Sequence, residues 1–117
     1  MIFNLVFKNV DDHLKNHSFI YSKENNSWNL SPAYDLTYAL NPLFTFKSTS
    51  RALSINGKRI EITVKDVLTV AEAFSIKNPK GIIKDVKNMT NRWPEISKKL
   101  EIPEKIIDRI DKDFLDL

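Results

Sequence analysis

Three polar side chains near the start of the chain have the types and spacing to do chemistry. They lie in the run Asn9-Val10-Asp11-Asp12-His13-Leu14-Lys15-Asn16-His17-Ser18 and in the later Ser31-Pro32-Ala33-Tyr34-Asp35-Leu36. Asp11 and Asn16 form Asp-x-x-x-x-Asn, a spacing that sets a proton-accepting carboxylate and a metal-binding amide in one loop. Asp35, directly after an aromatic, supplies a second carboxylate from a separate loop. Phosphoryl transfer needs this set: an oriented hydroxyl, a magnesium ion held by oxygens, and neutralised charge. Asp11 is then the base, Asn16 and Asp35 the magnesium ligands, and Lys15 a compact positive charge for a phosphate oxygen.

Neighbouring residues offer alternatives. Asp12 also precedes Asn16, but one position closer, so the spacing favours Asp11. His13 and His17 lie at i and i+4, yet the Glu of a His-Glu-x-x-His helix is missing and no third zinc ligand suggests itself. Trp28 and Tyr34 are expected in the core, not as a stacking platform for a base.

The surrounding pattern says what must position these groups. Ile2, Phe3, Leu5, Val6 and Phe7 make a short apolar run, either the end of a buried helix or a buried strand. Ser18–Tyr21 and Trp28–Leu30 read as strands joined by the turn-rich Lys23–Ser27, a hairpin that would hold the 11–16 loop beside Asp35. Residues 37–51 have no clear period and are expected to cover the site. Asn56-Gly57 between Ala52–Ile55 and Lys58–Ile62 predicts a second hairpin with a type I′ turn.

Beyond that the chain reads as helix. Thr63 with Asp66 resembles a capping box, followed by Val64, Val67, Leu68, Ala71 and Phe74 on one face. Asn78-Pro79 is a cap with proline at the first helical position. Ile82, Ile83, Val86, Met89, Thr90 and Trp93 continue a stripe to a break at Pro94. Pro103 opens a last helix with Ile106, Ile107, Ile110 and Phe114 inward. The fold class is therefore mainly α with two short β-hairpins (α+β), in a single domain spanning 1–117.

Composition narrows the classes. The 117 residues carry 18 Lys+Arg and 15 Asp+Glu, a net charge of +3, with the lysines spread out. Solvated helix faces explain that balance better than a nucleic-acid surface, so direct nucleic-acid binding is not expected. Cysteine is absent, which rules out disulfides and thiolate metal sites and suits a reducing compartment. The opening apolar run is too short for a membrane span and has no cationic lead-in, so the expected location is cytoplasmic.

The stretch Asn9–Phe19 closely resembles the catalytic loop of the HipA-like serine/threonine kinases, the toxins of bacterial toxin–antitoxin pairs. Leu30–Leu36 is similar to that family's metal-binding loop, and Ala52–Lys58 with the helical tail is similar to its C-terminal part. The resemblance implies the C-terminal helical lobe of a protein-kinase-like fold. Within it Asp11 is the catalytic aspartate and Asn16 and Asp35 are the Mg²⁺ ligands; His13 and Lys15 also match the motif. It further implies ATP as co-substrate and a protein substrate such as an aminoacyl-tRNA synthetase. The implied partner is a HipB-like helix-turn-helix antitoxin.

Such kinases carry their phosphate-binding loop and ATP-contacting lysine in a long N-terminal portion. This chain starts just before the catalytic loop, and its two glycines, Gly57 and Gly81, make no phosphate-cradling segment. The N-terminal nucleotide-binding part is thus expected to be absent and the chain inactive by itself. The alternative is a non-catalytic binding module that docks to an antitoxin or a kinase lobe. An apolar patch near Ile2, Phe3 and Phe44, left by a missing lobe, is expected to favour a homodimer.

Overall fold

A computed structural model describes residues 1–40 and 50–117. The apolar run at the start resolves as helix: α1, Ile2–Val6, is short and buries Leu5 and Val6. Lys8 leaves it in a left-handed conformation (φ +57°) and sends the chain into the polar segment. That segment makes a single 3₁₀ turn, Leu14–Asn16, and then enters the hairpin of β1, Phe19–Ser22, and β2, Ser27–Leu30. The strands pair antiparallel, with Phe19 opposite Leu30 and Tyr21 opposite Trp28.

The expected second hairpin is reduced to its turn. Asn56 (φ +52°) and Gly57 (φ +76°) take the positive angles of a type I′ turn, and Ile55 and Lys58 exchange both backbone hydrogen bonds. No regular ladder continues from it: Arg51 N–H still reaches Arg59 O across the arms, but the donors between are engaged elsewhere. Ala52 N–H donates to Val10 O at 2.8 Å, and Leu53 N–H donates to the Asp12 carboxylate at 3.2 Å. Strand pairing gives way to tethering against the polar segment.

Four helices follow: α2 (Val64–Ala73), α3 (Pro79–Thr90), α4 (Trp93–Lys99) and α5 (Glu104–Asp113). The Thr63/Asp66 capping box is complete, each side chain bonding the other residue's backbone N–H. Asn78 caps α3 through Gly81 N–H, with Pro79 in the first turn. Pro94 sits in the first turn of α4, where its missing N–H has no intrahelical role, so the sequence break is a new helix start. Pro103 stands just before α5 as its N-cap.

Leu5, Ile55, Ile62, Val67 and Ile83 form the buried core, packed by Ile2, Val64, Leu68, Val70, Leu115 and Leu117. An aromatic cluster adjoins it. Phe3 stacks on Phe7 at 4.4 Å, Phe114 meets Phe7 edge-on at 4.9 Å, and Trp93 meets Phe114 at 6.1 Å. Leu115 N–H reaches Val6 O, closing the C-terminal tail over α1. Helix α1 packs against α3, α2 packs against α3, and α4 and α5 pair with each other.

Several residues assigned inward lie outside. Phe74, at the C-cap of α2, is 74% exposed, and Ile82, Met89 and Ile106 are also exposed. Each sits on a shoulder of its helix, while the neighbouring Ala71, Ile83 and Ile107 take the buried centre. Trp28 and Tyr34, expected in the core, are likewise exposed. Ile2 and Phe3, expected on an apolar patch, are partly buried, Ile2 against the core and Phe3 against Phe7. Phe44 lies outside the described residues. Among the described residues, no helix is long and apolar enough to cross a membrane.

Candidate functional site

Asn16 ends the 3₁₀ turn, and its amide nitrogen spans the two loops. It donates to Asp35 Oδ2 at 2.6 Å and to the main-chain carbonyl of Asp11 at 3.2 Å. The structure therefore brings Asn16 and Asp35 side by side and ties Asp11 to them through its backbone. Asp11 is exposed, in a shallow groove with Val10, Ser50, Arg51, Ala52 and Arg59. Lys15 is exposed, and its carbonyl accepts a hydrogen bond from Tyr34 at 2.6 Å.

The adjacent aspartates have opposite environments. Asp12 is 2% exposed and forms an ion pair with Arg51, itself 4% exposed, while its other oxygen accepts from Leu53 N–H. A carboxylate so engaged is a structural anchor, whereas Asp11 remains open to solvent. The difference follows from chain direction: Asp12 points into the tether to segment 51–53, and Asp11, one residue before it, lies outside it.

The loop carrying Asp35 is held from behind. Asp35 adopts φ +53°, a left-handed conformation that aspartate tolerates better than most residues. Its carbonyl accepts from Asn9 Nδ2 at 2.7 Å, and Asn9 is 1% exposed and also contacts Asn4. The Tyr34 hydroxyl bridges Lys15 O and Ser18 Oγ, the latter at 2.7 Å. Ser31 N–H bonds Ser18 O and Ala39 N–H bonds Lys8 O, so the two loops are cross-tied over their whole length.

Asn9, Tyr34 and Arg51 thus do positioning work that the sequence pattern did not assign. Asn9 and Tyr34 lie close in sequence to the candidate residues, which is the signal that could have pointed to them. Arg51 has no local signal, since its partner Asp12 is distant in sequence.

Magnesium fits the donors present. Asn16 and Asp35 offer hard oxygens, and the bonds just described leave out Asn16 Oδ1 and Asp35 Oδ1. The 2.6 Å contact is a hydrogen bond from Asn16 Nδ2 to Asp35 Oδ2, which sets the amide beside the carboxylate but does not itself join two ligand oxygens. Magnesium keeps several waters and phosphate oxygens, so one amide and one carboxylate are a sufficient protein share. Zinc fits poorly. His17 is exposed, His13 Nδ1 is buried without a partner, and among the described residues no group of three His, Cys, Asp or Glu converges.

A family model for the HipA-like C-terminal domain matches residues 1–93, which includes the two loops, α1, α2 and α3. No curated protein and no solved structure matches the chain. The chain belongs to the HipA-like C-terminal domain family.

Proposed function

We propose that this member of the family serves as the catalytic lobe of an ATP-dependent serine/threonine protein kinase of the HipA type. The observation that carries the reading is the 2.6 Å contact between Asn16 and Asp35, with an exposed Asp11 linked to the same amide. Asp11 orients the acceptor hydroxyl and takes its proton as the phosphoryl group departs from ATP. Asn16 and Asp35 would hold magnesium, which would supply positive charge to neutralise the phosphates. Lys15, at the same turn, supplies a mobile positive charge for a phosphate oxygen. Tyr34 and Asn9 keep the metal loop against the catalytic loop.

Gly57 lies in a β-turn and Gly81 in the first turn of α3, so neither cradles phosphates. Residues 1–117 alone therefore transfer phosphate negligibly, and nucleotide positioning comes from a companion lobe. The family resemblance further suggests a HipB-like antitoxin as partner and a translation enzyme as target.

A paramagnetic titration tests the site. Mn²⁺ added to the ¹⁵N-labelled chain should broaden Asn16 and Asp35 first, and Asn16→Ala or Asp35→Ala should abolish this. Asp11→Ala should leave it intact, yet remove ATP-dependent labelling of a protein substrate once a nucleotide-binding lobe is supplied. Broadening scattered over unrelated carboxylates would refute the site.

The exposed hairpin favours a second reading, that of a docking module without catalysis. Phe19, Tyr21, Trp28 and Leu30 share one face and are 64%, 42%, 68% and 64% exposed. If a partner lobe or antitoxin binds this face while Asn16→Ala and Asp35→Ala change neither binding nor nucleotide turnover, docking is the function.

A further inference from the structure

The two loops of the candidate site share an anchor drawn from much later in the chain. Asp113 closes α5, and its Oδ2 accepts a hydrogen bond from the Tyr38 hydroxyl at 2.5 Å. Tyr38 stands just after Asp35, where the metal loop ends. Close by, Leu115 N–H donates to Val6 O at 3.0 Å, on the helix that delivers the chain to the catalytic loop. One short segment therefore grips the exit of one loop and the entry of the other. Ala39 N–H joins the two grips by donating to Lys8 O at 3.1 Å.

We propose that Asp113 and Tyr38 are positioning residues of the candidate site, and that the seating of segment 113–117 is coupled to metal binding at Asn16 and Asp35. The coupling rests on the magnesium reading given above, whereas the clamp rests on contacts that involve no metal.

The segment is fastened firmly enough to act as a clamp. Phe114 meets Phe7 and Trp93 edge-on, and Leu115 and Leu117 pack against the core. Lys87 holds the end, donating to Leu117 O at 2.7 Å and pairing with Asp116. The Tyr38 hydroxyl is pushed up to about 12, first by burial and then by its bond to Asp113, with Arg109 opposing. It therefore stays a donor at neutral pH. Asp113 also acts on Lys8, whose ammonium burial pushes down to about 8, with Asp113 opposing the fall and Arg51 adding to it. The same carboxylate is thus linked to both loop ends. So short a span from the left-handed Asp35 to Tyr38 has little slack, and a Tyr38 released by Asp113 frees the backbone that sets the carboxylate beside Asn16.

The test uses the full chain, ¹⁵N-labelled. Without metal, Tyr38→Phe and Asp113→Ala should each speed hydrogen exchange at Ala39 N–H roughly fivefold, and Asp113→Asn, whose carbonyl can still accept from Tyr38, should restore it. In Mn²⁺ titrations the affinity at Asn16 and Asp35 should fall roughly fivefold in the first two variants and recover in the third. Asp108→Ala, at an exposed position of α5, should change neither readout. Linkage requires the reverse effect: saturating Mg²⁺ should slow exchange at Leu115 N–H more than at Ile102 N–H, which bonds Ser97 O outside the clamp. Mn²⁺ that never broadens Asn16 or Asp35 refutes the coupling together with the magnesium reading, and Ala39 exchange then decides the clamp alone. Normal wild-type binding that Tyr38→Phe and Asp113→Ala leave unchanged overturns the coupling while sparing that reading, as does Mg²⁺ slowing shared equally by Leu115 and Ile102. Unaltered Ala39 exchange in both variants, or no rescue by Asp113→Asn, overturns the clamp.

Discussion

Replacing Asp12 by alanine should destabilise the protein far more than the same change at Asp11, one residue before it. The Asp12–Arg51 pair is almost wholly buried, at 2% and 4% exposure. Removing the carboxylate leaves a guanidinium without its counter-charge in a low-dielectric site, which costs about 3–5 kcal/mol. Leu53 N–H also loses its acceptor, a further ~1 kcal/mol if no water replaces it. Against a total stability of about 5–15 kcal/mol for a domain, that is a large fraction. Asp11 is exposed and its carboxylate anchors nothing comparable, so Asp11→Ala should stay within about 0.5 kcal/mol.

Urea denaturation followed by tryptophan fluorescence reads the difference directly. With a slope of about 1–3 kcal/mol per molar, Asp12→Ala should lower the midpoint on the order of 2 M, while Asp11→Ala leaves it in place. The double variant Asp12→Leu/Arg51→Met should recover most of the loss, because it removes both charges instead of stranding one. Equal midpoints for the two alanine variants would refute the division of labour between these aspartates. No recovery in the double variant would show that the pair's hydrogen bonds, not its charges, fasten segment 51–53.

Three further outcomes are accessible. Tyr34→Phe removes the hydroxyl that bridges Lys15 O and Ser18 Oγ; a loss of about 1 kcal/mol should weaken Mn²⁺ binding at Asn16 and Asp35 roughly fivefold, read by the same line broadening. Hydrogen bonds from Asn56, the Thr63 backbone, Lys58 and the Thr63 hydroxyl hold the Asp66 carboxyl well below the usual carboxylate range. A depressed folded-state value means its stabilisation is present above an unfolded pKa of about 3.9 and disappears as pH falls toward the folded value. Asp66→Asn should therefore lower the urea midpoint near neutrality and flatten its decline on acidification; an unchanged acid slope would refute this. Gly81→Ala should lower the melting temperature, although glycine to alanine in a helix ordinarily gains about 1 kcal/mol, because the new Cβ would collide with the Asn78 cap; a rise would show that Asn78 is dispensable.

Local chemistry was legible and long-range partnership was not. The Thr63/Asp66 box, the Asn78-Pro79 start and the Asn56-Gly57 turn are each specified by residues within one turn of backbone, and all three form. The first hairpin forms for the same reason. The second hairpin fails beyond its turn because the Asp12 carboxylate, far earlier in the chain, takes the Leu53 N–H that would continue the ladder. Periodicity gave the helices but overstated how wide their buried stripes are: Ile83 is buried while adjacent Ile82 is not. A small helical domain has too little interior to bury both, and a sequence stripe carries no record of that limit.

The same contrast governs the candidate site. Asp11, Asn16 and Asp35 are proposed from type and spacing, because the proposed chemistry constrains residue type. The residues that hold them are constrained by geometry alone. Asn9 works through the carbonyl of a left-handed Asp35, and Arg51 works through an aspartate across the fold. Neither role leaves a spacing to recognise. Yet they determine whether three oxygen-bearing side chains become one site, since Asp35 can face Asn16 only while its backbone is pinned from the buried side. On this reasoning Asn9→Ala, read by Mn²⁺ line broadening, should damage metal binding more than replacement of the exposed Lys15, which meets the other loop through its backbone carbonyl.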